Sequence, residues 1–345
     1  MRVIGIEKRA PVMRNLITDV AGLRVGHAHD KKLASGSTVI LFDRPVTAAV
    51  DVRGGGPGTR ETALLDPAQT LEHADAIVLS GGSAFGLDAP SGTQAFLREK
   101  GRGFRIGDTI VPIVPGAIIF DLLNGGDKDW DRYPPYREFG YEATRTASVN
   151  FALGSVGAGL GATTANFKGG VGSASAKTPG GITVGAIVVI NAVGTAVIGD
   201  GPHFWAAPFE QDAEFGGRGM PRHFSKSDLA IRAKGGPQKS GPNQNTTIAM
   251  IATDAKLSKP QCNRLAVMAQ DGLARAIYPV HSPLDGDVVF SVATGDKELD
   301  DPYYGLAELG MVAANVMARA AARGVYEAEA LPFKDAIPAW RDRFG

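Results

Sequence analysis

The residues with the clearest chemical potential are Asn245 and Thr246, which join a polar loop to an apolar run. Residues 235–244 are rich in Gly, Pro, Gln and Asn, whereas residues 246–253 read TTIAMIAT. If the chain were cut between Asn245 and Thr246, Thr246 would carry a free α-amine with an ordinary pKa of about 8. That amine could act as the base for the adjacent hydroxyl, so one residue would supply nucleophile and base. Taken alone, the pair also fits a Thr that simply begins a strand.

Two further clusters hold groups that such a nucleophile would need. Asn191 ends the apolar run VGAIVVIN, and a carboxamide at the end of a buried strand can donate a hydrogen bond to an oxyanion. Asn is equally a common turn residue. The segment HSPLDGD at 281–287 places Asp285 and Asp287 on either side of a glycine. These carboxylates fit a capped turn, a calcium site or partners that orient a catalytic amine.

Two glycine-rich segments are candidates for backbone contact with a ligand. The junction SGGSAFGLD at 80–88 includes Gly82 and Ser83, which could present backbone N–H groups at a helix start or form a tight structural turn. The segment GAGLGATTANFKGG at 157–170 has neither the G-K-[ST] of a phosphate loop nor a G-x-G-x-x-G that follows a strand. It therefore does not predict nucleotide binding.

Apolar patterning indicates the elements that must position these residues. Strand-like runs, most of them continuous and β-branched as in strands buried on both faces, occupy residues 38–42, 46–52, 76–80, 184–191, 194–198, 246–253 and 287–293. Helical runs occupy 84–100, 258–278 and 304–327, and the second begins with a capping box that contains a proline. Residues 124–138 and 207–244 look like loops. Runs of strands followed by helices, with helices at both ends of a sheet-rich middle, predict a layered α/β protein.

Composition limits the classes of function. The 345 residues are 44% apolar and 21% charged, and Lys plus Arg equals Asp plus Glu at 36 each. This balance argues against binding to nucleic acid or to an anionic membrane, and no run of about 18 apolar residues predicts a membrane span. Residues 1–16 lack the apolar core of a signal peptide, and the single cysteine excludes an intrachain disulfide. We therefore expect a cytoplasmic protein.

Two weaker candidates are interpreted as structural. His27 and His29 would share one face of a strand, but no third ligand is evident, so no metal site is expected. Cys262 lies in the first turn of the predicted helix at 258–278, where a thiol pKa can be lowered. Because no His motif accompanies Cys262, it is not expected to be catalytic.

Seven segments in order resemble the P1 family of self-processing hydrolases, which includes L-aminopeptidase/D-Ala-esterase/amidase, β-peptidyl aminopeptidases and nylon-oligomer hydrolases. They are NLITDVAGLRVGHA (15–28), DVRGGGPGTRET (51–62), SGGSAFGLDA (80–89), GAGLGATTANFKGGVGSAS (157–175), VVINAVG (188–194), NTTIAMIATDAKLS (245–258) and HSPLDGDVVFSVATG (281–295). The resemblance implies a four-layer αββα sandwich in one domain, residues 1–345. It also implies self-cleavage into an α-chain (1–245) and a β-chain (246–345) that stay associated, in tetramers or larger homo-oligomers.

The resemblance also implies roles for single residues. Thr246 matches the nucleophile, and Asn191 matches the residue that stabilises the oxyanion. Asp285 and Asp287 stand where family members hold acidic or hydroxyl residues that orient the amine of the nucleophile. The self-cleavage site would then be the bond between Asn245 and Thr246.

A second group of residues is implied to contact the substrate: Gly82, Ser83, Asn166 and Lys168. Lys168 matches a residue seen in many members. Asn166 stands where members commonly carry Lys or an acidic residue, and Ala165 where some aminopeptidases carry Tyr. Because Asn166 is uncharged, we expect a weaker requirement for a free substrate amine than in aminopeptidase relatives.

The expected function is that of an amidohydrolase or aminopeptidase that cleaves small peptides, amides or esters through an acyl-enzyme, without a cofactor. One alternative is an acyl transferase of the ornithine acetyltransferase type, which also cleaves itself before a Thr. The residues after the nucleophile, TIA at 247–249, do not read like that family. Another alternative is a catalytically silent protein that binds a ligand in its glycine-rich loops.

Overall fold

Continuous apolar runs form most strands of a large β-sheet in the computed structural model, which describes residues 13–234 and 245–345. The strands of this sheet are β1 (Leu23–Asp30), β2 (Ser35–Val52), β3 (Thr59–Arg60), β4 (His73–Ser80), β7 (Gly116–Ile118), β8 (Val171–Lys177), β9 (Thr183–Asn191), β10 (Thr246–Ala255) and β11 (Val288–Lys297). A separate hairpin pairs β5 (Phe104–Ile106) with β6 (Thr109–Val111).

The helices flank this sheet, and together they make a mixed α/β fold. They are α1 (Ala89–Glu99), α2 (Tyr136–Arg145), α3 (Lys259–Ala276), α4 (Tyr304–Tyr326) and α5 (Trp340–Phe344). The predicted capping box of α3 is confirmed, since Ser258 N–H donates to Gln261 Oε1 at 2.9 Å and the Ser258 hydroxyl accepts from Gln261 N–H. Within residues 13–234 and 245–345, no helix combines the length and apolarity that crossing a bilayer requires.

The order of the strands brings three chain segments to one edge of the sheet. The order is β3-β7-β4-β2-β11-β10-β9-β8, with β1 paired to β2 beside this path. β10 runs antiparallel to β9 and parallel to β11. The start of β10 therefore lies beside the end of β9 and the start of β11. This edge is where Thr246, Asn191 and Asp287 meet.

The strands are buried on both faces, as their continuous apolar runs predict. In β10, Ala249 and Ile251 pack into a cluster with α3 and α4, whereas Ile248 and Met250 pack into a second cluster on the other face. In β2, Ile40 also belongs to the second cluster, whereas its neighbours pack into a third cluster against α1 and α2. Because side chains alternate along a strand, each strand can contribute to two cores.

The predicted strand at 194–198 is wrong. Thr195 and Val197 make only isolated β-bridges there, to Tyr278 and Phe204. The Thr195 hydroxyl accepts a hydrogen bond from Val197 N–H at 3.1 Å. A side chain that satisfies a nearby backbone group in this way favours a turn over a strand ladder.

Other boundaries also differ from the prediction. The runs at 38–42 and 46–52 form one strand, β2, which carries an irregularity in its pairing with β4. The predicted helix at 84–100 is a 3₁₀ turn (Ser83–Asp88) followed by α1, because Pro90 favours the first turn of a new helix. The predicted loop at 207–244 contains a single 3₁₀ turn, Ala207–Phe209, in its described part; residues 235–244 lie outside the described residues.

Several elements were absent from the prediction: the short elements β3, β5, β6, β7 and α5, and the longer elements α2, β8 and β1. Helix α2 begins inside the predicted loop at 124–138. The prediction missed this helix because its buried residues, Tyr136, Gly140, Ala143 and Thr144, give little apolar periodicity. Strand β8 reads VGSASAK, whose small polar residues conceal its burial. Strand β1 likewise carries several charged and imidazole side chains.

Candidate active site

Thr246 and Asn191 are direct partners in the antiparallel ladder between β10 and β9. Residues opposite each other in such a ladder point to the same face, with Cβ atoms about 4.5–5.5 Å apart. Both are buried, with relative exposures of 2% and 0%. The predicted nucleophile and the predicted oxyanion donor are therefore adjacent.

The hydroxyl of Thr246 lies against the carbonyl of the preceding residue. Thr246 Oγ1 is 2.5 Å from the carbonyl oxygen of Asn245, and Gly286 N–H donates to the same oxygen at 2.8 Å. A Cβ atom on Gly286 would lie 2.8 Å from Thr246 Oγ1 and 2.5 Å from the carbonyl oxygen of Gly56, so this approach requires glycine. The carbonyl thus has a hydroxyl beside it and a backbone donor on its oxygen.

Asp287 contacts the residue that follows Thr246. Its Oδ1 accepts a hydrogen bond from Thr247 N–H at 2.7 Å. Its Oδ2 accepts from His281 N–H at 3.1 Å and lies 2.8 Å from His281 Nδ1. The carboxylate is only 1% exposed, so these contacts fix its orientation beside the start of β10.

Asp285 is held just as firmly on the other side of the glycine. Its Oδ1 accepts from Val193 N–H at 3.0 Å, and its Oδ2 accepts from the hydroxyl of Ser282 at 2.9 Å. Asp285 also forms a parallel β-bridge with Asn245. Burial, together with the nearby charge of Asp287, raises the pKa of Asp285. The pair therefore holds two carboxyl groups near the start of β10, and the repulsion between them favours the protonated form of Asp285.

The carboxamide of Asn191 is bonded at both ends. Its Oδ1 accepts from Thr163 N–H at 3.0 Å and from Lys234 Nζ at 2.9 Å. Its Nδ2 donates to the carbonyl oxygen of Phe120 at 3.0 Å. An amide nitrogen carries two hydrogens, so a second one is left for a reacting oxygen.

A cavity of about 460 Å³ opens beside Asn245. Its polar lining comprises Asp121, Asn124, Thr163, Lys168, Lys234, Asn245, Lys334 and Asp335. Its apolar lining includes Phe120, Leu123, Leu331, Phe333 and Ile337. A cavity of this size with a few convergent polar groups is typical of a site for a small molecule.

The cavity is lined by ionisable side chains whose charged forms are disfavoured by burial. Lys168 is fully buried and donates from Nζ to the carbonyl oxygens of Gly159 and Gly169, at 2.9 and 2.7 Å. Burial lowers the pKa of Lys168 and of Lys234 to about 7, although the charge of Asp121 opposes this. Burial likewise raises the pKa of Asp121. Perturbed groups of this kind cluster at functional sites.

Gly82 and Ser83 do not line the cavity, and only Gly82 contacts a residue that does, Asp121. Gly82 N–H donates to Asp121 Oδ1 at 2.7 Å, and Ser83 N–H donates to the carbonyl oxygen of Ile119 at 3.0 Å. Gly82 has φ +85°, and a Cβ atom there would lie 2.1 Å from Cζ of Tyr136. Both N–H groups therefore donate to other groups of the protein, and that of Gly82 orients the cavity residue Asp121.

Asn166 also lies outside the cavity lining. Its Oδ1 accepts from the hydroxyl of Thr195 at 2.7 Å, and its Nδ2 donates to the carbonyl oxygen of Gly199 at 3.2 Å. Lys168, two residues further on, is among the lining residues. The structure thus brings Thr246, Asn191, Asp285 and Asp287 together around the start of β10, although none of these four is among the cavity-lining residues. Lys168 lines the cavity beside Asn245, and Asn166 lies in a neighbouring loop.

The remaining candidates have local partners. His27 Nδ1 lies 2.9 Å from Thr38 Oγ1, and burial lowers the pKa of His27 to about 4. Burial raises the pKa of Cys262 to about 12, so its position in the first turn of α3 does not activate the thiol. In the described part of the chain, no three His, Cys, Asp or Glu side chains form a group that could hold a metal ion.

Three site residues were missed by the prediction from sequence. Asp121 follows the apolar residues 117–120, just as Asn191 follows its own strand, and that shared pattern could have identified it. His281 stands in the recognised HSPLDGD segment but was assigned no role. Lys234 lies in a long polar segment and has no local signal.

This mixed α/β fold is that of the N-terminal nucleophile (Ntn) hydrolases. A Burkholderia β-aminopeptidase superposes with a TM-score of 0.68 at 23% identity, covering 98% of this chain and 93% of that chain. An L-aminopeptidase D-Ala-esterase/amidase from Ochrobactrum anthropi, described as a variant of the Ntn hydrolase fold, has a TM-score of 0.67 at 21% identity, with coverages of 94% and 90%.

The chain belongs to peptidase family S58, whose model matches residues 15–337, and it is a hydrolase of the Ntn type. An uncharacterized aminopeptidase of Mycobacterium tuberculosis is 43% identical over 96% of this chain and 98% of its own length. A 6-aminohexanoate-oligomer endohydrolase of Paenarthrobacter ureafaciens is 29% identical over 81% of this chain and 75% of its own length. These findings confirm the resemblance to aminopeptidases and 6-aminohexanoate-oligomer hydrolases.

Proposed function

We propose that this chain is a self-processing amidohydrolase, with Thr246 as the N-terminal nucleophile of the mature enzyme. The observation that carries the proposal is the position of Thr246 Oγ1, 2.5 Å from the carbonyl oxygen of Asn245 and on the strand position opposite Asn191. The hydroxyl of Thr246 thus lies beside the peptide bond to be cut, and Thr246 is the strand partner of Asn191, which would stabilise the oxyanion in turnover.

Self-cleavage would proceed within the uncleaved chain. Thr246 Oγ1 attacks the carbonyl carbon of Asn245, and Gly286 N–H stabilises the negative charge on the carbonyl oxygen. The C–N bond breaks, the nitrogen of Thr246 takes the hydroxyl proton, and an ester joins Asn245 to Thr246. Water then hydrolyses this ester to a carboxylate on Asn245 and a free Thr246. The α-chain would be residues 1–245 and the β-chain 246–345.

Turnover would use the new amine as the base. The α-amine of Thr246 takes the hydroxyl proton, Oγ1 attacks the substrate carbonyl, and Asn191 Nδ2 donates to the oxyanion. The amine then protonates the leaving group, and water hydrolyses the acyl-enzyme. Asp285 and Asp287 would orient the amine, because both carboxylates are fixed beside the start of β10.

The cavity supports a small peptide, amide or ester as substrate. Its polar groups surround Asn245, and apolar side chains such as Leu331 and Phe333 form another part of its lining. The names of the relatives, an aminopeptidase and an oligomer endohydrolase, support cleavage of an amide bond. They favour neither the acyl transferase nor the silent binding protein.

We also propose the finer architecture that the sequence resemblance implies. Three separate apolar clusters support a four-layer αββα sandwich. One lies against α3 and α4, the second is formed mainly by strand residues, and the third lies against α1 and α2. The two chains would remain associated because β10 and β11 of the β-chain pair with β9 and β2 of the α-chain. Homo-oligomers, tetrameric or larger, and a cytoplasmic location complete the proposal.

The intact mass of the purified protein, combined with N-terminal sequencing, tests the proposal. We expect two fragments, one ending at Asn245 and one beginning at Thr246. A single uncleaved mass in an active preparation, or a new N-terminus elsewhere, would contradict the mechanism. Hydrolysis of aminoacyl p-nitroanilides, compared with acetyl transfer from N-acetylornithine to glutamate, separates the hydrolase from the acyl transferase.

A further inference from the structure

Lys234 reaches the candidate oxyanion donor from a segment that sequence patterns do not mark. Its Nζ donates to Asn191 Oδ1 at 2.9 Å and to the carbonyl oxygen of Thr163 at 3.2 Å. Its backbone N–H donates to the carbonyl oxygen of Val193 at 2.8 Å. Lys234 is therefore tied, through both its main chain and its side chain, to the residues around the end of β9.

The contacts of Asn191 determine which way its carboxamide points. The oxygen and nitrogen of an Asn amide have nearly the same shape, so only their hydrogen-bond partners distinguish the two orientations. An ammonium and a backbone N–H can only donate, so the atom that faces Lys234 and Thr163 must be the oxygen. The NH₂ group must then face the opposite side, where Phe120 provides an accepting carbonyl oxygen.

We propose that Lys234 is a positioning residue that fixes the carboxamide of Asn191 with its NH₂ group toward the reacting carbonyl. This inference rests on the proposed function, in which Asn191 Nδ2 stabilises the oxyanion. A positive charge on the amide oxygen also draws electron density from the nitrogen and makes its N–H a stronger donor. Thr163 N–H alone would hold the oxygen by one neutral hydrogen bond.

The charged groups around Lys234 fit this role. Asp121 and Asp285 both favour its protonated form, whereas burial disfavours that form and lowers the pKa of Lys234 to about 7. Lys168 lines the same cavity, but its Nζ donates to the carbonyl oxygens of Gly159 and Gly169. Of the two buried lysines that line the cavity, Lys234 is thus the one that contacts the side chain of Asn191.

The test is Lys234→Ala, because Lys234 lines the cavity and its removal leaves space that a small amine can enter. On the best wild-type substrate from a panel of aminoacyl p-nitroanilides, we expect kcat per cleaved molecule to fall roughly 10–100-fold, less than for loss of an oxyanion donor itself. KM should change little. Added ethylamine should restore kcat in a saturable way.

Matched variants separate positioning from general effects. Lys177→Ala removes an exposed lysine at the end of β8 and should keep the wild-type kcat, with no response to ethylamine. Lys234→Arg retains the charge and should retain more kcat than Lys234→Ala. If Lys234→Ala is not cleaved, the self-cleavage rate with and without ethylamine becomes the readout, and acceleration by the amine is then the supporting result.

An unchanged kcat, a change confined to KM, or a loss that ethylamine does not relieve would overturn the assignment of Lys234. Failure of the proposed function would look different. In that case wild-type protein would remain uncleaved, or Thr246→Ala would remain active, whatever the Lys234 variants do.

Discussion

Two buried polar networks in this molecule differ in how their charges are matched. At the first, Arg319 on α4 donates to Glu214, to the carbonyl oxygen of Ser175 and to the side chain of Asn15, at distances including 2.9 and 3.0 Å. Arg319 and Glu214 are almost fully buried and form an ion pair. The second network is the Thr246 site.

At the Thr246 site, charges of like sign lie close together. Asp285 and Asp287 flank one glycine, and two buried lysines, Lys168 and Lys234, share one cavity. An ion pair in direct contact is a structural solution, whereas buried groups of like charge in close proximity are costly and cluster at functional sites. The comparison therefore predicts that changes at Arg319 affect stability and that changes around Thr246 affect reaction rates.

The largest effect should come from Thr246→Ala, which removes the nucleophile. We expect a folded, uncleaved and inactive chain, whereas Thr246→Ser should still be processed. Thr247→Val is the matched control, because the buried hydroxyl of Thr247 has no hydrogen-bond partner among the described residues. Denaturing gels and hydrolysis assays measure the outcome, and substantial activity in a clean Thr246→Ala preparation would remove Thr246 from its role.

The next effect concerns Asn191→Ala. Loss of an oxyanion donor typically lowers kcat by about 10²–10³-fold, because the donor acts mainly in the transition state. We expect kcat of the cleaved enzyme to fall in that range with a smaller change in KM. If steady-state kinetics showed a change in KM alone, Asn191 would only shape the cavity.

Arg319→Met should act on stability rather than on rate. Removing one partner of a buried ion pair typically lowers the free energy of unfolding by about 3–5 kcal/mol. Arg323 Nε, 3.8 Å from Glu214 Oε2, still compensates part of the charge of Glu214, so we expect the lower end of that range. Urea unfolding measures this loss, and the double variant Arg319→Met/Glu214→Gln should recover part of it. A fall in kcat per cleaved molecule at unchanged stability would break the distinction between the two networks.

The smallest effect is the pH dependence of stability that the buried lysines cause. The pKa of Lys168 is about 7 in the folded chain, below its ordinary value of 10.5. Between these values the unfolded chain binds a proton that the folded chain does not, so stability rises with pH over this window. In the uncleaved Thr246→Ala chain, Tm measured from pH 7 to 9.5 should therefore rise more steeply than in Thr246→Ala/Lys168→Met. Equal slopes would contradict a lowered pKa.

The ends of the buried strands could be predicted from the sequence because they are local features. Thr246 begins one continuous apolar run and Asn191 ends another. The position of each residue at a strand end therefore follows from its immediate neighbours in sequence. The ordered motifs also predicted the family, which is confirmed, and the self-cleavage site, which stays a prediction. Where polar residues conceal burial, as in β8 and α2, the same patterns were insufficient.

Only the tertiary structure decided which groups meet at the site. The pairing of β10 with β9 and β11 joins Thr246, Asn191 and Asp287 from distant segments, and a loop with no apolar periodicity delivers Lys234. The same applies to Asn166 and Lys168, which are two residues apart in sequence, yet only the lysine lines the cavity. The physical reason is that apolar periodicity reports the burial of a residue, whereas its partners depend on strand order and loop path.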